Sequence, residues 1–249
     1  MKSTFVWLPV GLLAVGAVSA LASGGAFLAV VAAVAALAVY WTVMRYVARR
    51  PLPELAREGA LREAAKGGAV GLGFVLVSVL LITILGGYSF TWSQGLSAVL
   101  PLVAISIGAA VTEELLFRGL LLQALEGWFG GRIAVAITAL LFGGLHLANP
   151  GATLWSSLAI AVEAGVLLGA AFLWRRNLWF VIGLHFAWNA TEALLGIPVS
   201  GHTSEGVLTT HLSGAEWLTG GAFGLEASVI PVIVSVLIAV AMLTRAKRG

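Results

Sequence analysis

Long apolar stretches, separated by short polar or glycine-rich breaks, make up most of the chain. No charged residue lies between Lys2 and Arg45, and none lies between Lys66 and Glu113. A helix needs about 20 apolar residues to cross a bilayer, so each stretch has room for two spans. The pattern predicts eight transmembrane helices, at roughly 5–22, 26–45, 68–86, 96–125, 132–148, 154–174, 178–196 and 227–244.

Composition agrees with a membrane protein. Of the 249 residues, 60% are hydrophobic and 10% are charged, whereas about 25% are charged in an average soluble domain. These values exclude a soluble globular protein, a disordered chain and a nucleic-acid-binding module. The chain has no Cys, which excludes disulfides and a cysteine nucleophile. We therefore expect an all-α polytopic membrane protein, a single integral-membrane domain over 1–249 without a soluble domain.

The basic residues lie on one side of the predicted membrane. Cytoplasmic loops are enriched in Lys and Arg. With a cytoplasmic N-terminus, 13 of the 14 Lys and Arg residues fall on the cytoplasmic side, and Arg118 is the exception. We therefore expect both termini in the cytoplasm and the long loop 197–226 outside the cell.

Two segments outside this pattern have alternative interpretations. Residues 46–66 mix charged and apolar positions after a Pro-x-Pro start, which predicts a short amphipathic helix on the cytoplasmic surface. It is a basic topological anchor or a contact for substrate or lipid. Residues 1–22 are similar to a cleavable signal peptide, although we favour an uncleaved first span.

Several ionisable or strongly polar residues fall inside the predicted spans. Each ionisable group costs at least about 2.5–3.5 kcal/mol in a bilayer core, so such groups tend to mark function. Counting about 1.5 Å per residue from the cytoplasmic helix ends places the catalytic candidates in one middle layer of the membrane. These candidates are Glu113, His146, His185 and Asn189.

The spacing of these residues within each helix separates their roles. Glu114 and Arg118 are four residues apart, so they share a helix face and can pair. Glu113 lies about 100° around the helix, where it can face a cavity and act as a base. His185 and Asn189 are also four apart and can point at one site.

Three ordered motifs, E-E-x-x-x-R, F-x-x-x-H and H-x-x-x-N, lie on separate predicted membrane helices. Together they resemble the CPBP family of intramembrane endopeptidases, which includes type II CAAX prenyl proteases and bacteriocin-processing (ABI) proteins. The matching residues are Glu113, Glu114, Arg118, Phe142, His146, His185 and Asn189. The resemblance covers 105–195, which we interpret as the catalytic core region. It implies an eight-helix fold and, given the small size of the chain, a prokaryotic plasma-membrane protein.

The resemblance also implies hydrolysis of peptide bonds within the membrane. We expect Glu113 to act as general base, His146 to hold the water, and His185 with Asn189 to form an oxyanion pocket. Glu114 with Arg118 would orient the site and hold His146 or a substrate carboxylate.

Further groups near the predicted site have open roles. Phe142 shares a helix face with His146, and Glu163 in the sixth span is a supporting residue, a substrate gate or a buried hydrogen-bonding group. Family members are widely classed as metalloendopeptidases, and zinc could be ligated by Glu113, His146 and His185. We favour a water activated by glutamate without a tightly bound metal.

The expected partners are membrane lipids and a membrane-embedded or lipidated protein or peptide substrate, such as a prenylated CAAX-type protein or a bacteriocin-like peptide. Two other functions stay open. One is a catalytically silent scaffold or bacteriocin-immunity protein on the same fold. The other is a transporter in which Glu113, His146 and Glu163 form a proton or ion path.

Overall fold

The computed structural model describes residues 4–93 and 95–246. Within these residues the helices are α1 Thr4–Ser19, α2 Ala26–Thr42, α3 Ala60–Ile84, α4 Val99–Glu114, α5 Gln123–Phe129, α6 Gly131–Leu145, α7 Leu154–Ile160, α8 Leu168–Arg175, α9 Leu178–Leu194, α10 Glu216–Thr219 and α11 Val229–Ala246. Two strands, β1 Tyr88–Trp92 and β2 Leu208–Leu212, pair antiparallel with Tyr88 opposite Leu212.

Short 3-10 or π-helical stretches join several of these helices into longer ones. Seven of the resulting helices, in the part of the chain described, are long and apolar enough to cross a membrane. They are Thr4–Gly24, Ala26–Ala48, Ala60–Ile84, Leu96–Phe129, Gly131–Ala148, Leu154–Arg175 and Val229–Ala246. The all-α polytopic membrane fold is therefore confirmed. The remaining predicted span, 178–196, corresponds to α9, a 17-residue helix that is mostly buried among the others.

The central helix α9 packs closely on α3 through glycines. A Cβ atom at Gly71 would overlap the backbone carbonyl of Leu184, and one at Gly183 would overlap the carbonyl of Ala64. Small residues of this kind let two membrane helices approach closely. This packing holds α9, which carries His185 and Asn189, in the middle of the bundle.

One end of the bundle carries the basic residues and their acidic partners. Arg175 Nη2 lies 2.6 Å from Glu63 Oε2, and Arg176 Nη2 lies 2.5 Å from Glu126 Oε1. The hydrogen bonds that Arg176 donates to the Glu126 carboxylate raise the pKa of Arg176. Three of the thirteen basic residues assigned to this end lie outside the described residues, namely Lys2, Lys247 and Arg248.

The segment 46–66 at this end differs from its prediction. It contains no amphipathic helix of its own, only a three-residue 3-10 turn, Pro53–Leu55. From Ala60 onward the chain is already the first turn of α3. Leu52 and Leu55 pack onto the bundle, Leu61 is exposed on α3, and Glu54 is buried where it accepts a hydrogen bond from Tyr40.

The opposite end is built from the two-stranded β1–β2 sheet and the loop 197–226, which contains β2. The Tyr88 hydroxyl donates to the carbonyl of Thr219 at 2.5 Å, and the Trp155 indole donates to the carbonyl of Ala227 at 2.7 Å. Asn149 donates to the carbonyl of Ser200 at 3.0 Å. These bonds hold the long loop against the helix ends.

The close packing of α3 on α9 predicts different effects for the same substitution at two neighbouring glycines. Gly71→Ala forces the helices apart and should cost about 1–3 kcal/mol of stability, because the added Cβ meets backbone. Gly73→Ala on the same helix meets nothing within 4 Å and should leave the melting temperature unchanged. Melting curves in detergent measure both, and equal melting temperatures for the two variants would contradict this packing.

Candidate active site

One cavity contains all four catalytic candidates. Its volume is about 470 Å³, and its lining includes Glu113, His146, His185 and Asn189. These residues come from three separate membrane helices, as the matching depths predict. Apolar side chains from the same helices form most of the remaining wall, so the polar groups act where little water competes.

Glu114 joins two of these helices. Its Oε1 accepts a hydrogen bond from Arg118 Nη1 at 2.8 Å and lies 2.9 Å from His185 Nδ1. Both Glu114 and Arg118 are fully buried, so each supplies the charge that the other needs in an apolar interior. The histidine held by Glu114 is His185 and not His146. The alternative in which Glu114 and Arg118 hold His146 is therefore wrong.

Arg118 is held from several directions. Its Nη2 donates at 2.6 Å to the carbonyl of Ala164, and its guanidinium stacks over the Phe142 ring at 5.2 Å. Both Arg118 and Ala164 lie in π-helical stretches, Leu115–Leu122 and Ala161–Leu167. Single π-helical turns are frequent at functional sites. With 1% of its side chain exposed, Arg118 is not available to bind a substrate carboxylate, contrary to that alternative.

Glu113 faces the cavity, whereas its neighbour Glu114 does not. One third of the Glu113 side chain (33%) is exposed, against none of Glu114. Glu113 Oε2 lies 3.9 Å from His185 Nε2. Since Glu114 engages Nδ1, the other nitrogen of His185 points into the cavity beside Glu113. His185 therefore stands between two carboxyl groups.

His146 presents one ring nitrogen to the cavity. Its Nδ1 lies 2.7 Å from the carbonyl oxygen of Phe142, which can only accept, so we assign the proton to Nδ1. In the neutral ring, Nε2 is then a free acceptor for a water hydrogen. The Phe142 ring lies 4.6 Å from the His146 ring, centroid to centroid, and fixes its orientation. The Asn189 amide makes no hydrogen bond to any described residue and remains free for a ligand.

The motif residues coincide with a known protein family. Residues 94–191 match the family model described as "Type II CAAX prenyl endopeptidase Rce1-like". The chain is similar to this family over that segment, which is 98 of its 249 residues. The match contains the whole set of catalytic candidates and confirms the predicted resemblance. No curated protein and no solved structure matches the chain. The match supports a protease of the CAAX type at the level of the family.

The cavity residues do not assemble a metal site. No three His, Asp or Glu side chains among residues 4–93 and 95–246 lie close enough together to hold one ion. The Nδ1 atoms of His146 and His185 are engaged by Phe142 and Glu114, which leaves Nε2 of each ring for another partner. The predicted zinc set of Glu113, His146 and His185 is not brought together in this structure, and we derive no step through a metal.

Sequence reasoning missed one acidic residue of the cavity, Glu226. It lies in the loop before α11 and accepts hydrogen bonds from the Ser200 backbone N–H at 2.6 Å and the Ser200 hydroxyl at 2.9 Å. Burial raises the pKa of Glu226, while the hydrogen bonds from Ser200 lower it. Its position in a loop, away from the predicted spans that carry the other candidates, concealed it. The only sequence signal is a lone carboxyl in the apolar run 222–232.

Glu163 does not line the cavity. It is fully buried in the π-helical stretch Ala161–Leu167, and neither carboxyl oxygen has a hydrogen-bond partner among the described residues. No described residue therefore forms the buried hydrogen bond that is one of the predictions for Glu163. Glu192 is also buried, with Oε1 accepting from the Trp188 indole at 2.9 Å.

The buried pair predicts that Arg118 is a determinant of stability. Arg118→Ala leaves Glu114 without its partner and should lower the free energy of unfolding by roughly 3–5 kcal/mol. Arg132→Ala is the matched control, because Arg132 is exposed at the end of α6. Thermal melting in detergent compares the two. A melting temperature for Arg118→Ala equal to that of the control would show that the pair adds nothing to stability.

Proposed function

We propose that the chain is an intramembrane endopeptidase that hydrolyses peptide bonds of membrane-associated substrates with a water activated by Glu113 and His146. The observation that carries the proposal is the cavity-facing carboxyl of Glu113, 3.9 Å from His185 Nε2, with His146 and Asn189 in the same wall. The family match supports a protease of this class. Lipidated CAAX-type proteins and bacteriocin-like peptides are the candidate substrate classes, and the charges of the cavity discriminate between free C-termini and internal segments.

In the first step a water lies between Glu113 and His146. Glu113 removes one proton as the water oxygen forms a bond to the carbonyl carbon. His146 accepts the second water hydrogen at Nε2, which aligns the attacking lone pair. Because Glu114 occupies the other face of the helix and holds Arg118, Glu113 is free to carry the transferred proton.

The negative charge that develops on the carbonyl oxygen needs donors. Asn189 offers its amide N–H, and His185 stands between Glu113 and Glu114, where its doubly protonated form donates from Nε2. Two such donors aimed at the oxyanion stabilise the transition state more than the substrate. The tetrahedral intermediate then breaks at its C–N bond, and Glu113 returns its proton to the leaving amine.

Replacing Glu113 should remove catalysis and keep the fold. Glu113→Gln preserves shape but cannot take a proton, so cleavage should fall by about 10²–10⁴ or more. Glu192→Gln is the matched control, since Glu192 is a buried carboxyl that does not line the cavity and its bond to Trp188 is kept. Peptides released from membranes incubated with each purified variant, quantified by mass spectrometry, measure the difference. Wild-type release by Glu113→Gln would refute the proposed base.

The oxyanion donors should show a smaller effect. Asn189→Ala removes one donor and should lower the cleavage rate by about 10²–10³, with little change in melting temperature, because the amide makes no hydrogen bond to the described residues. The same release assay, run beside a melting curve, tests this. An undiminished rate would exclude Asn189 from the oxyanion pocket.

The geometry of the histidines predicts that catalysis does not require a metal. Exhaustive treatment with EDTA and 1,10-phenanthroline should leave the rate of peptide release unchanged, because the three candidate ligands do not converge. A loss of activity that added zinc restores would contradict this prediction.

A further inference from the structure

The cavity reaches one end of the bundle. Its lining runs from Glu113 and His185 to the loop 197–226, where Ser200, His202 and Ser204 form its rim, and His202 and Ser204 are exposed. Among the described residues, the basic end with the ion pairs of Glu63 and Glu126 contributes none to the lining. The exposed rim therefore lies at the end of the bundle that carries the two-stranded β1–β2 sheet.

The rim is part of the folded structure. Ser200 donates two hydrogen bonds to Glu226 and accepts one from Asn149 through its carbonyl. A Cβ at Gly201 would overlap the carbonyl of Pro150, so the loop sits directly on the chain that follows α6. Three chain segments thus fix the mouth of the cavity at this end.

The distribution of basic residues indicates which side of the membrane the rim faces. Of the basic residues in the described part of the chain, all except the buried Arg118 lie in the segments of the opposite end. They are Arg45, Arg49, Arg50, Arg57, Arg62, Lys66, Arg132, Arg175, Arg176 and Arg245. Lys and Arg accumulate on the cytoplasmic side of membrane proteins. The rim loop 197–226 has none.

The cavity also lacks a fixed cation for a free carboxylate. Its lining contains the acids Glu113 and Glu226 and no Lys or Arg among the described residues, so only histidines there can become positive. Arg118 is buried behind the wall. The C-terminal carboxylate of a C-a-a-X protein would lie near two acidic groups. An internal segment of a substrate chain has no terminal carboxylate, so an apolar or cationic internal segment is compatible with this acidic lining.

From these observations we propose that the active site opens to the extracytoplasmic face and takes internal segments of exported or membrane-inserted proteins that are exposed on that face. This substrate assignment rests on the proposed proteolytic function, whereas the direction of the opening does not.

The direction is tested by single-cysteine labelling in a chain without native Cys. Three variants suffice: Ser204→Cys at the rim, Ala109→Cys in the cavity wall one turn from Glu113, and the control Glu58→Cys, exposed at the basic end. A small, membrane-impermeant methanethiosulfonate should label Ser204→Cys and Ala109→Cys in spheroplasts and Glu58→Cys only in inside-out vesicles. The reverse pattern, or an Ala109→Cys that stays unlabelled in spheroplasts, overturns the proposed direction.

The substrate class is tested separately by mass spectrometry of membranes and medium from cells that express wild type or Glu113→Gln. Peptides that are present with wild type and missing with Glu113→Gln should come from extracytoplasmic segments and end at internal cleavage sites. If the missing peptides were instead C-terminal tripeptides of prenylated proteins, the substrate assignment would be overturned. Identical peptide sets would reject proteolysis, and the assignment with it, while the labelling result would stand.

Discussion

A buried arginine in an apolar helix bundle needs a negative partner, and the site is organised around that need. Arg118 is held by Glu114, and the same carboxyl oxygen contacts His185 on another helix. Breaking a buried ion pair is costly because the remaining charge is left in a medium that solvates it poorly. The carboxylate of Glu114 therefore stabilises the buried Arg118 and also fixes the position of His185.

In this arrangement the two adjacent glutamates, Glu113 and Glu114, have different roles. A helix turns about 100° per residue, so Glu113 and Glu114 point in different directions. Glu114 is fully buried and neutralises the charge of Arg118, while Glu113 is exposed to the cavity and can exchange a proton. Paired acidic residues in a membrane helix need not repel each other where one is neutralised by a cation and the other faces a polar space.

The sequence predicted the parts of the structure that depend on spacing within one helix. The four-residue separations placed Glu114 beside Arg118, and long apolar runs marked the spans. What spacing could not predict were contacts between helices, which depend on helix rotation. Hence the choice of His185 over His146 as the partner of Glu114 came only from the structure.

Loops were harder to predict than helices. The sequence indicated neither the pairing of β1 with β2 nor the return of Glu226 into the cavity, because each depends on contacts between distant segments. The 17-residue α9 was predicted as a full span, yet its burial on α3 depends on glycine packing that composition alone does not reveal. Apolar periodicity is weak in a bundle where lipid-facing and buried positions are both apolar.

The central claim is that Glu114 has two separable tasks, neutralising Arg118 and anchoring His185. The most direct test measures melting temperature and peptide release for Glu114→Leu and for Glu114→Leu combined with Arg118→Met. Glu114→Leu removes the charge and the hydrogen-bond acceptor, so it should lose both stability and activity. The double variant removes the unpaired buried charge, so it should regain stability but stay inactive, because His185 still lacks its anchor. Recovery of activity together with stability in the double variant would contradict the account.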